Sequence, residues 1–335
     1  MPSWRARQPA VTAHALAPAV SVIMPTFNRP AYVREAIASV HTQSFDDWEL
    51  LIADDGSSAE VQEYLRTLHD PPRVRVLTLE HTGNPPAVRN RALREARGEY
   101  VAFLDSDDVW LPEKLQRQLA ALRARPDRAW SYTGFTLVDS SGAPLAGARA
   151  RTCPAIEGAF LEPLLRGEPL IMQSSVMVRR ELLQRLGGYD EELRVCGDYE
   201  LWIRLARHSE VGLIETPLLL VRRNAERYFD DLTALTELDQ MLARVERAAR
   251  GGQLEALLRA RRARVAAQLA LAQVQSYRRL GALGTLLASA PRAWRFRPWW
   301  SGAVRVGACA LLPRTLLEMM RRRRAARRNT QRASS

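Results

Sequence analysis

Cysteine is scarce in this 335-residue chain: Cys153, Cys196 and Cys309 are the three it has. They are far apart, odd in number and without metal-ligand spacing. That argues against a disulfide framework or a zinc site and fits a reducing compartment. Long apolar runs are lacking too. No stretch reaches the roughly 18 apolar residues of a spanning helix, and the nearest approach, Ala303 to Pro313, is interrupted by Arg305. Met1 to Pro18 lacks the continuous apolar segment of a secretory signal and reads as a loose arm. There is no internal repeat. Acidic residues are nearly absent from one end: Pro291 to Ser335 carries twelve Arg against Glu318, a net +11 of the chain's +12. The remaining residues are close to neutral, so the partner-seeking basic surface is the C-terminal tail.

What is present describes a globular protein. Apolar residues make up 47%, enough for a sizeable core. The 26% of charged residues are mixed along most of the chain, unlike a disordered one. The length suits one large domain with an appendage, or two domains.

The first half alternates strands and helices. Ala19 to Met24 is a Val- and Ile-rich strand broken by Pro25 to Pro30. Ala31 to Val40 has helical spacing. Trp48 to Ala53 is a second strand, closed by Asp54-Asp55-Gly56-Ser57-Ser58, where a serine can cap a helix running to Leu68. Val74 to Leu79 is a third strand, Pro86 to Ala96 a helix with Gly98 behind it, and Tyr100 to Leu104 a fourth strand. Pro112 sits in the first turn of a helix over Leu111 to Arg125. Such alternation implies a parallel sheet covered by helices, with ligands bound at the strands' carboxyl ends. The polar clusters at Pro25 to Asn28, Asp54 to Ser58 and Asp105 to Asp108 all fall there. The second half is less regular. Strands are expected at Ala129 to Tyr132, Phe135 to Val138 and Ser174 to Val178, with one broken strand or a pair around Pro217. Asp198 to Arg207 is an amphipathic helix, and helices follow from Asp231 and over Leu254 to Tyr277.

Asp105-Ser106-Asp107 stands at a strand end, where residues i and i+2 share a side. Two carboxylates facing one space can hold a hard divalent cation, Mg²⁺ or Mn²⁺, and such an ion stabilises a leaving diphosphate. Alone, the pattern equally describes a solvated acidic turn capping the next helix. Asp55 can accept a base N–H, or simply shape a turn. Arg89, on the exposed side of the third helix, can meet phosphate or base, or only water. Asp198 can serve as a general base or as a helix N-cap.

Together these segments resemble the family 2 glycosyltransferases of the GT-A fold. The resemblance runs through Ser21-Val22-Ile23-Met24-Pro25-Thr26-Phe27-Asn28-Arg29, Ala53-Asp54-Asp55-Gly56-Ser57-Ser58, Val88-Arg89-Asn90-Arg91-Ala92-Leu93 and Ala96 to Asp108. It continues in Gly187-Gly188-Tyr189-Asp190 and Gly197-Asp198-Tyr199-Glu200-Leu201-Trp202, so it covers Val20 to Arg223. It implies a Rossmann-like mixed, mainly parallel sheet flanked by helices, with a C-terminal helical extension. It implies an inverting transfer from a nucleoside diphosphate sugar, UDP- or dTDP-linked, to a glycan or lipid-linked glycan hydroxyl in cell-surface polysaccharide synthesis. Pro25 (through its backbone) and Asp55 would line the nucleoside pocket, with Arg89 beside the nucleotide. Asp105 would sit by ribose or metal, Asp107 would ligate the metal, and Asp198 would be the base. Two departures stand out: Gly197 replaces the first acid of the family's Glu-Asp pair, and no His follows His208, leaving Arg222 or Arg223 as substitutes. These losses motivate the alternative of a non-catalytic nucleotide- or membrane-binding protein.

The expected organisation is a flexible arm over 1–18, a GT-A domain over 19–225, a helical region over 226–290 and a basic amphipathic tail over 291–335. In the tail, Trp299, Trp300, a short apolar run and Arg321 to Arg324 suit an anionic membrane surface better than nucleic acid. The resulting expectation is a cytoplasmic protein, peripheral at the inner face of the cell membrane.

Overall fold

Runs of Val, Ile and Leu bounded by turn residues become strands at β1 (Val20–Thr26), β2 (Trp48–Asp54), β3 (Val74–Thr78) and β4 (Tyr100–Phe103). The amphipathic segments between them become α1 (Pro30–His41), α2 (Ala59–Thr67) and α3 (Pro85–Glu95). The computed structural model describes residues 17–145, 155–168, 171–223, 231–249, 253–275, 285–286 and 288–289. Beyond β4 come β5 (Val109–Trp110), α4 (Lys114–Ala124), β6 (Arg128–Val138), α5 (Leu161–Arg166), β7 (Met177–Arg179), α6 (Arg180–Arg185) and α7 (Gly197–His208). The described elements end with β8 (Glu210–Arg222), α8 (Asp231–Ala248) and α9 (Gln253–Gln275).

The strands form one sheet in the order β3-β2-β1-β4-β7-β6-β8-β5. β1 pairs in parallel with β2 and β4, and β2 with β3. β7 runs antiparallel to β4 and β6, β6 and β8 are parallel, and β5 is antiparallel to β8. The expected mixed, mainly parallel sheet flanked by helices is what the chain adopts.

Strand alternation divides the core. Val20, Val22 and Met24 of β1 pack with Leu50 and Ile52 against α1, α2 and α4. Ile23, Leu51, Val101 and Phe103 point the other way, toward α3, α6 and α7. Met241 and Leu242 of α8 and Leu258 and Val265 of α9 join that second cluster. The helices after β8 thus share the core beneath α7.

Several expectations are corrected. α4 starts at Lys114 and not at Leu111, because Val109 and Trp110 pair with Leu220 and Leu219 of β8. β6 is one strand and not two, and β8 is one strand through Pro217. A register shift reconciles them at Gly134, where a side chain would meet the Glu215 carbonyl oxygen at 2.5 Å. The segment from Gln173 to Ser175 is a 3-10 turn ahead of β7, and α5 was not expected from the pattern.

Candidate active site

The carboxyl ends of β1, β2 and β4 bring the three polar clusters together. Past Thr26, Asn28 adopts a left-handed φ of 49°. Its amide donates to the Ser57 hydroxyl at 2.9 Å, and its side-chain oxygen accepts the Ser58 N–H at 2.7 Å. These bonds fasten the Pro25 loop to the Asp54–Ser58 turn. Pro25 lies in β1 opposite Ala53 and is half-buried.

Asp55 is buried and its carboxylate already has donors. Oδ1 accepts the Thr82 amide and hydroxyl at 2.8 and 2.9 Å, and Oδ2 accepts the Gly83 amide at 2.9 Å. The neighbouring His81 ring stacks on Phe27 with centroids 4.3 Å apart. Asp55 therefore fixes the 81–83 segment against the strand end, and Ser58 heads α2 without a side-chain cap bond.

Asp105 to Asp108 form a turn, not the end of an extended strand, with the Asp108 amide donating to the Asp105 carbonyl at 3.0 Å. Strand alternation does not govern them, and each carboxylate takes its own direction. Asp105 pairs with Arg89 of α3 at 2.5 Å, and Asp107 with Arg29, the N-cap residue of α1, at 2.6 Å. Asp108 is buried, accepting the Ser174 hydroxyl at 2.6 Å and the Arg222 amide at 3.2 Å. The same Ser174 hydroxyl accepts the Asp105 amide at 2.9 Å. The charges still feel one another. Burial, and then the Asp105 charge, raise Asp107 above the ordinary carboxylate range despite Arg29. Burial with both neighbours raises Asp108 well above it.

Arg89 is not on an exposed face. Its guanidinium is buried beside the Tyr189 ring, 5.8 Å from the centroid, and its Nε has no hydrogen-bond partner. Burial opposes its charge, but Asp105, Tyr189 and Asp198 outweigh that and hold its pKa above the ordinary value. Asn90, one residue on, makes paired bonds with the Tyr189 backbone, accepting its amide at 2.8 Å and donating to its carbonyl at 2.9 Å.

Asp198 occupies the first turn of α7 but is not its cap. Cys196 is the N-cap residue and makes no side-chain cap bond. Asp198 Oδ1 instead accepts the Tyr199 amide at 2.6 Å. Burial pushes the Asp198 carboxyl up to about 6, against the pull of that amide and of Arg89, with the Asp105 charge adding to the rise. A carboxyl titrating there is ionised at neutral pH yet basic enough to take a proton. Gly197 has a packing reason. A Cβ there would meet Pro86 Cγ of α3 at 2.8 Å, so the family's first acid is displaced by close contact between α3 and α7.

Arg222 does not take the role of the missing His. Its Nε donates to the Asp107 carbonyl at 3.1 Å, Nη1 to the Ser140 carbonyl at 2.8 Å and Nη2 to Glu35, over the Tyr32 ring. It braces the acidic turn from behind, while Arg223 is exposed. Among the described residues no group of three or more His, Cys, Asp or Glu is arranged as a metal cage. The donor set nevertheless fits Mg²⁺ or Mn²⁺, ions that commonly use one or two carboxylates with water and substrate phosphate. Crowded carboxylates with raised pKa values gain most from such an ion.

Sequence reasoning gave no role to Arg29, Ser174 or Tyr189. Tyr189 stood inside the Gly187-Gly188-Tyr189-Asp190 motif and Arg29 closed the Ser21 to Arg29 segment, while Ser174 had no signal beyond its place at the start of an expected strand. The basic tail lies outside the described residues.

Residues 21–151 match the model of Glycosyl transferase family 2. An uncharacterised glycosyltransferase of Methanocaldococcus jannaschii is 30% identical over 209 residues, 61% of this chain and 71% of that protein. The chain belongs to glycosyl transferase family 2. A Bacillus subtilis glycosyltransferase named for teichuronic acid biosynthesis, TuaG, is 40% identical over 129 residues, 38% of this chain and 51% of its own length. The family 2 chain thus spans about half of that relative. Escherichia coli WfgD, named a UDP-Glc:alpha-D-GlcNAc-diphosphoundecaprenol beta-1,3-glucosyltransferase, is 27% identical over 58% of this chain and 72% of its own. Among solved structures, S. aureus TarS with UDP-GlcNAc superposes at a TM-score of 0.57, 17% identical, over 87% of this chain and 81% of that one. The Pyrobaculum calidifontis mannosyltransferase PcManGT with GDP-Man and Mn²⁺ gives 0.53 at 20% identity, over 93% and 87%. These likenesses establish the GT-A fold.

Proposed function

We propose that this chain transfers a sugar from a nucleoside diphosphate donor, UDP- or dTDP-linked, to a hydroxyl of a glycan or lipid-linked glycan, in cell-surface polysaccharide synthesis. The observation that carries the reading is the convergence of Asp198 on the Arg89–Asp105 pair at the strands' carboxyl ends, with the Asp198 carboxyl at about 6. Asp198 takes the proton of the acceptor hydroxyl as that oxygen attacks the anomeric carbon. The bond from that carbon to the diphosphate oxygen breaks on the opposite face, the diphosphate leaves with the electron pair, and the single displacement inverts the centre. Pro25, through its backbone, and Asp55, through the 81–83 segment it holds, line the nucleoside pocket. Arg89 and Asp105 meet the nucleotide. Asp107, with Asp105 near it, would hold a divalent cation, which neutralises charge on the departing diphosphate when bound. The donor class is supported by the UDP-GlcNAc and GDP-Man named for the structural neighbours, and the lipid-linked acceptor by the name of WfgD. A place at the cytoplasmic membrane face follows from such an acceptor. No helix among the described residues is long and apolar enough to cross a membrane.

The test is a thermal-shift screen of the full chain with UDP-, dTDP- and GDP-sugars, with and without Mg²⁺ or Mn²⁺, followed by nucleotide-release assays. A ligand at 100 times its Kd stabilises by about 2.7 kcal/mol, so a true donor stands out. Asp198→Asn is expected to keep the shift and lose turnover. Asp107→Asn is expected to lose the metal dependence of the shift. No response to any donor, or wild-type turnover in Asp198→Asn, overturns the reading.

A further inference from the structure

The turn that delivers Asp198 is tied down by a residue far away in sequence. Glu237 of α8 points its carboxylate at three successive amides. Oε2 accepts the Arg194 N–H at 2.8 Å, and Oε1 accepts those of Val195 and Cys196 at 2.7 and 2.6 Å. Amides at a helix start lack intrahelical acceptors and are usually served by a local N-cap side chain. Here Cys196 offers no such bond, and Glu237 of another helix instead accepts the amide of the N-cap residue and of the two residues that lead into it. Two turns further along α8, Arg244 pairs with Asp190 at 3.0 Å and Glu192 at 2.9 Å, on the same connection. α8 itself is anchored by Met241 and Leu242, both fully buried.

We infer that Glu237 is a positioning residue for Asp198, making α8, which lies outside the family-matched segment, part of the catalytic apparatus. The inference rests on the reading of Asp198 as the base. Asp198 stands two residues past Cys196, so the direction of its carboxylate toward Arg89 and Asp105 depends on how the first turn of α7 is held. A neutral amide in place of Glu237 keeps the shape but turns an NH₂ toward a backbone N–H, so the three donors cannot all be satisfied. Misplacement of a reacting group by about 1 Å can cost on the order of 100-fold in rate, with little effect on ground-state donor binding.

Two readouts separate positioning from mere loss of stability. Donor hydrolysis, with water standing in for the acceptor hydroxyl, is measured with UDP-glucose, UDP-GlcNAc and dTDP-glucose in Mg²⁺ for the full-length wild type, Glu237→Gln and Leu258→Ala. The last removes a buried core side chain away from the turn. Glu237→Gln is expected to lower kcat about tenfold or more with donor KM within about twofold. Leu258→Ala is expected to lower Tm without that split. The second readout is labelling of the Cys196 thiol in a Cys153→Ser, Cys309→Ser background. This thiol is buried beside Glu237, and burial followed by the Glu237 charge pushes it up to about 12. Its labelling is expected to speed up about tenfold in Glu237→Gln and to stay slow in Leu258→Ala. Wild-type kcat in Glu237→Gln, or unchanged labelling, overturns the inference. Wild-type activity in Asp198→Asn sinks instead the base assignment, and labelling still decides whether Glu237 holds the turn.

Discussion

Asp198 carries opposite demands for stability and for chemistry. Its surroundings are Arg89 from α3, Asp105 past β4, Tyr189 and Cys196 from the connection before α7, and the Tyr199 amide. Burial dominates, so the folded carboxyl titrates at about 6 against an ordinary value of 3.8. Between those values the folded state holds a proton that the unfolded chain has released. Stability therefore falls as pH rises through that window, at a cost on the order of 3 kcal/mol above it. The proposed base role needs the ionised form, so activity is expected to rise over the same range. Asp198→Asn keeps an acceptor for the Tyr199 amide and removes the charge. It is expected to melt higher than wild type at pH 8, with the difference shrinking toward pH 4, while wild-type turnover, which the variant lacks, is expected to show an acid limb near pH 6. Calorimetry of ligand-free protein at both pH values checks this; a constant difference in Tm would show that Asp198 is not the titrating group. The residue scale is also where sequence reasoning reached furthest and then stopped. Asp55, Asp105, Asp107 and Asp198 were legible because each lies in a contiguous motif at the end of an element. Their partners were not: Ser174 meets Asp105 across 69 positions, and Glu237 meets Cys196 across 41. No local spacing records such contacts. Gly197 was legible only as a departure, and its reason, the Pro86 ring, is a tertiary contact.

At the scale of elements, the first four strands were legible because their apolar runs are bounded by Pro, Asp and Gly. The β6–β8 pair was not, since Gly134 and Pro217 mimic strand ends. α4 shows a subtler failure. Two residues of β5 are too few to show periodicity, so the helix was expected to begin at Leu111 and Lys114 drew no separate reading. Lys114 is in fact fully buried. Its Nζ donates to Gln118 Oε1 at 2.6 Å and lies 4.2 Å from the Trp110 ring centroid. Burial pushes its pKa well below the ordinary lysine value. The unfolded chain then binds a proton that the folded state rejects, so stability rises with pH from the folded pKa up to the unfolded one. Lys114→Met keeps the volume and removes that penalty. It is expected to raise Tm at pH 7 and to flatten the gain wild type shows between pH 7 and 9. The net gain is about 1–2 kcal/mol after Gln118 loses its donor. A fall in Tm at pH 7 with an unchanged pH slope would mean that the amine is charged and paired in the fold.

For the whole molecule, charge is segregated and not spread. The last forty-five residues hold a net +11 of the total +12, so the α/β body is close to neutral. Within that body Arg29, Arg89 and Arg222 are committed to the acidic turn, through Asp107, Asp105 and Glu35 with the Asp107 carbonyl. On the proposed function, donor capture would then be a local matter of a few paired groups, and long-range attraction to an anionic partner is expected of the tail. The tail's composition points that partner toward a membrane. Trp299 and Trp300 are of the residue type that anchors at membrane interfaces, the run over Ala303 to Pro313 is largely apolar, and Arg321 to Arg324 are four successive positive charges. Each Arg near an anionic leaflet contributes about 1 kcal/mol, so four contribute about 4 kcal/mol before losses. The Arg contribution acts through screened solvent and is expected to fall with salt, whereas apolar burial resists it. Sedimentation with anionic and neutral vesicles separates the two. The full chain is expected to pellet with anionic vesicles at low salt and to release as salt rises. Replacing Arg321 to Arg324 by Gln is expected to remove the salt-sensitive part, and Trp299→Ala with Trp300→Ala the remainder. A chain ending at Ala290 is expected to stay in solution throughout. Equal pelleting of the full and shortened chains refutes the membrane role, as does a full chain that prefers nucleic acid over anionic vesicles at matched salt.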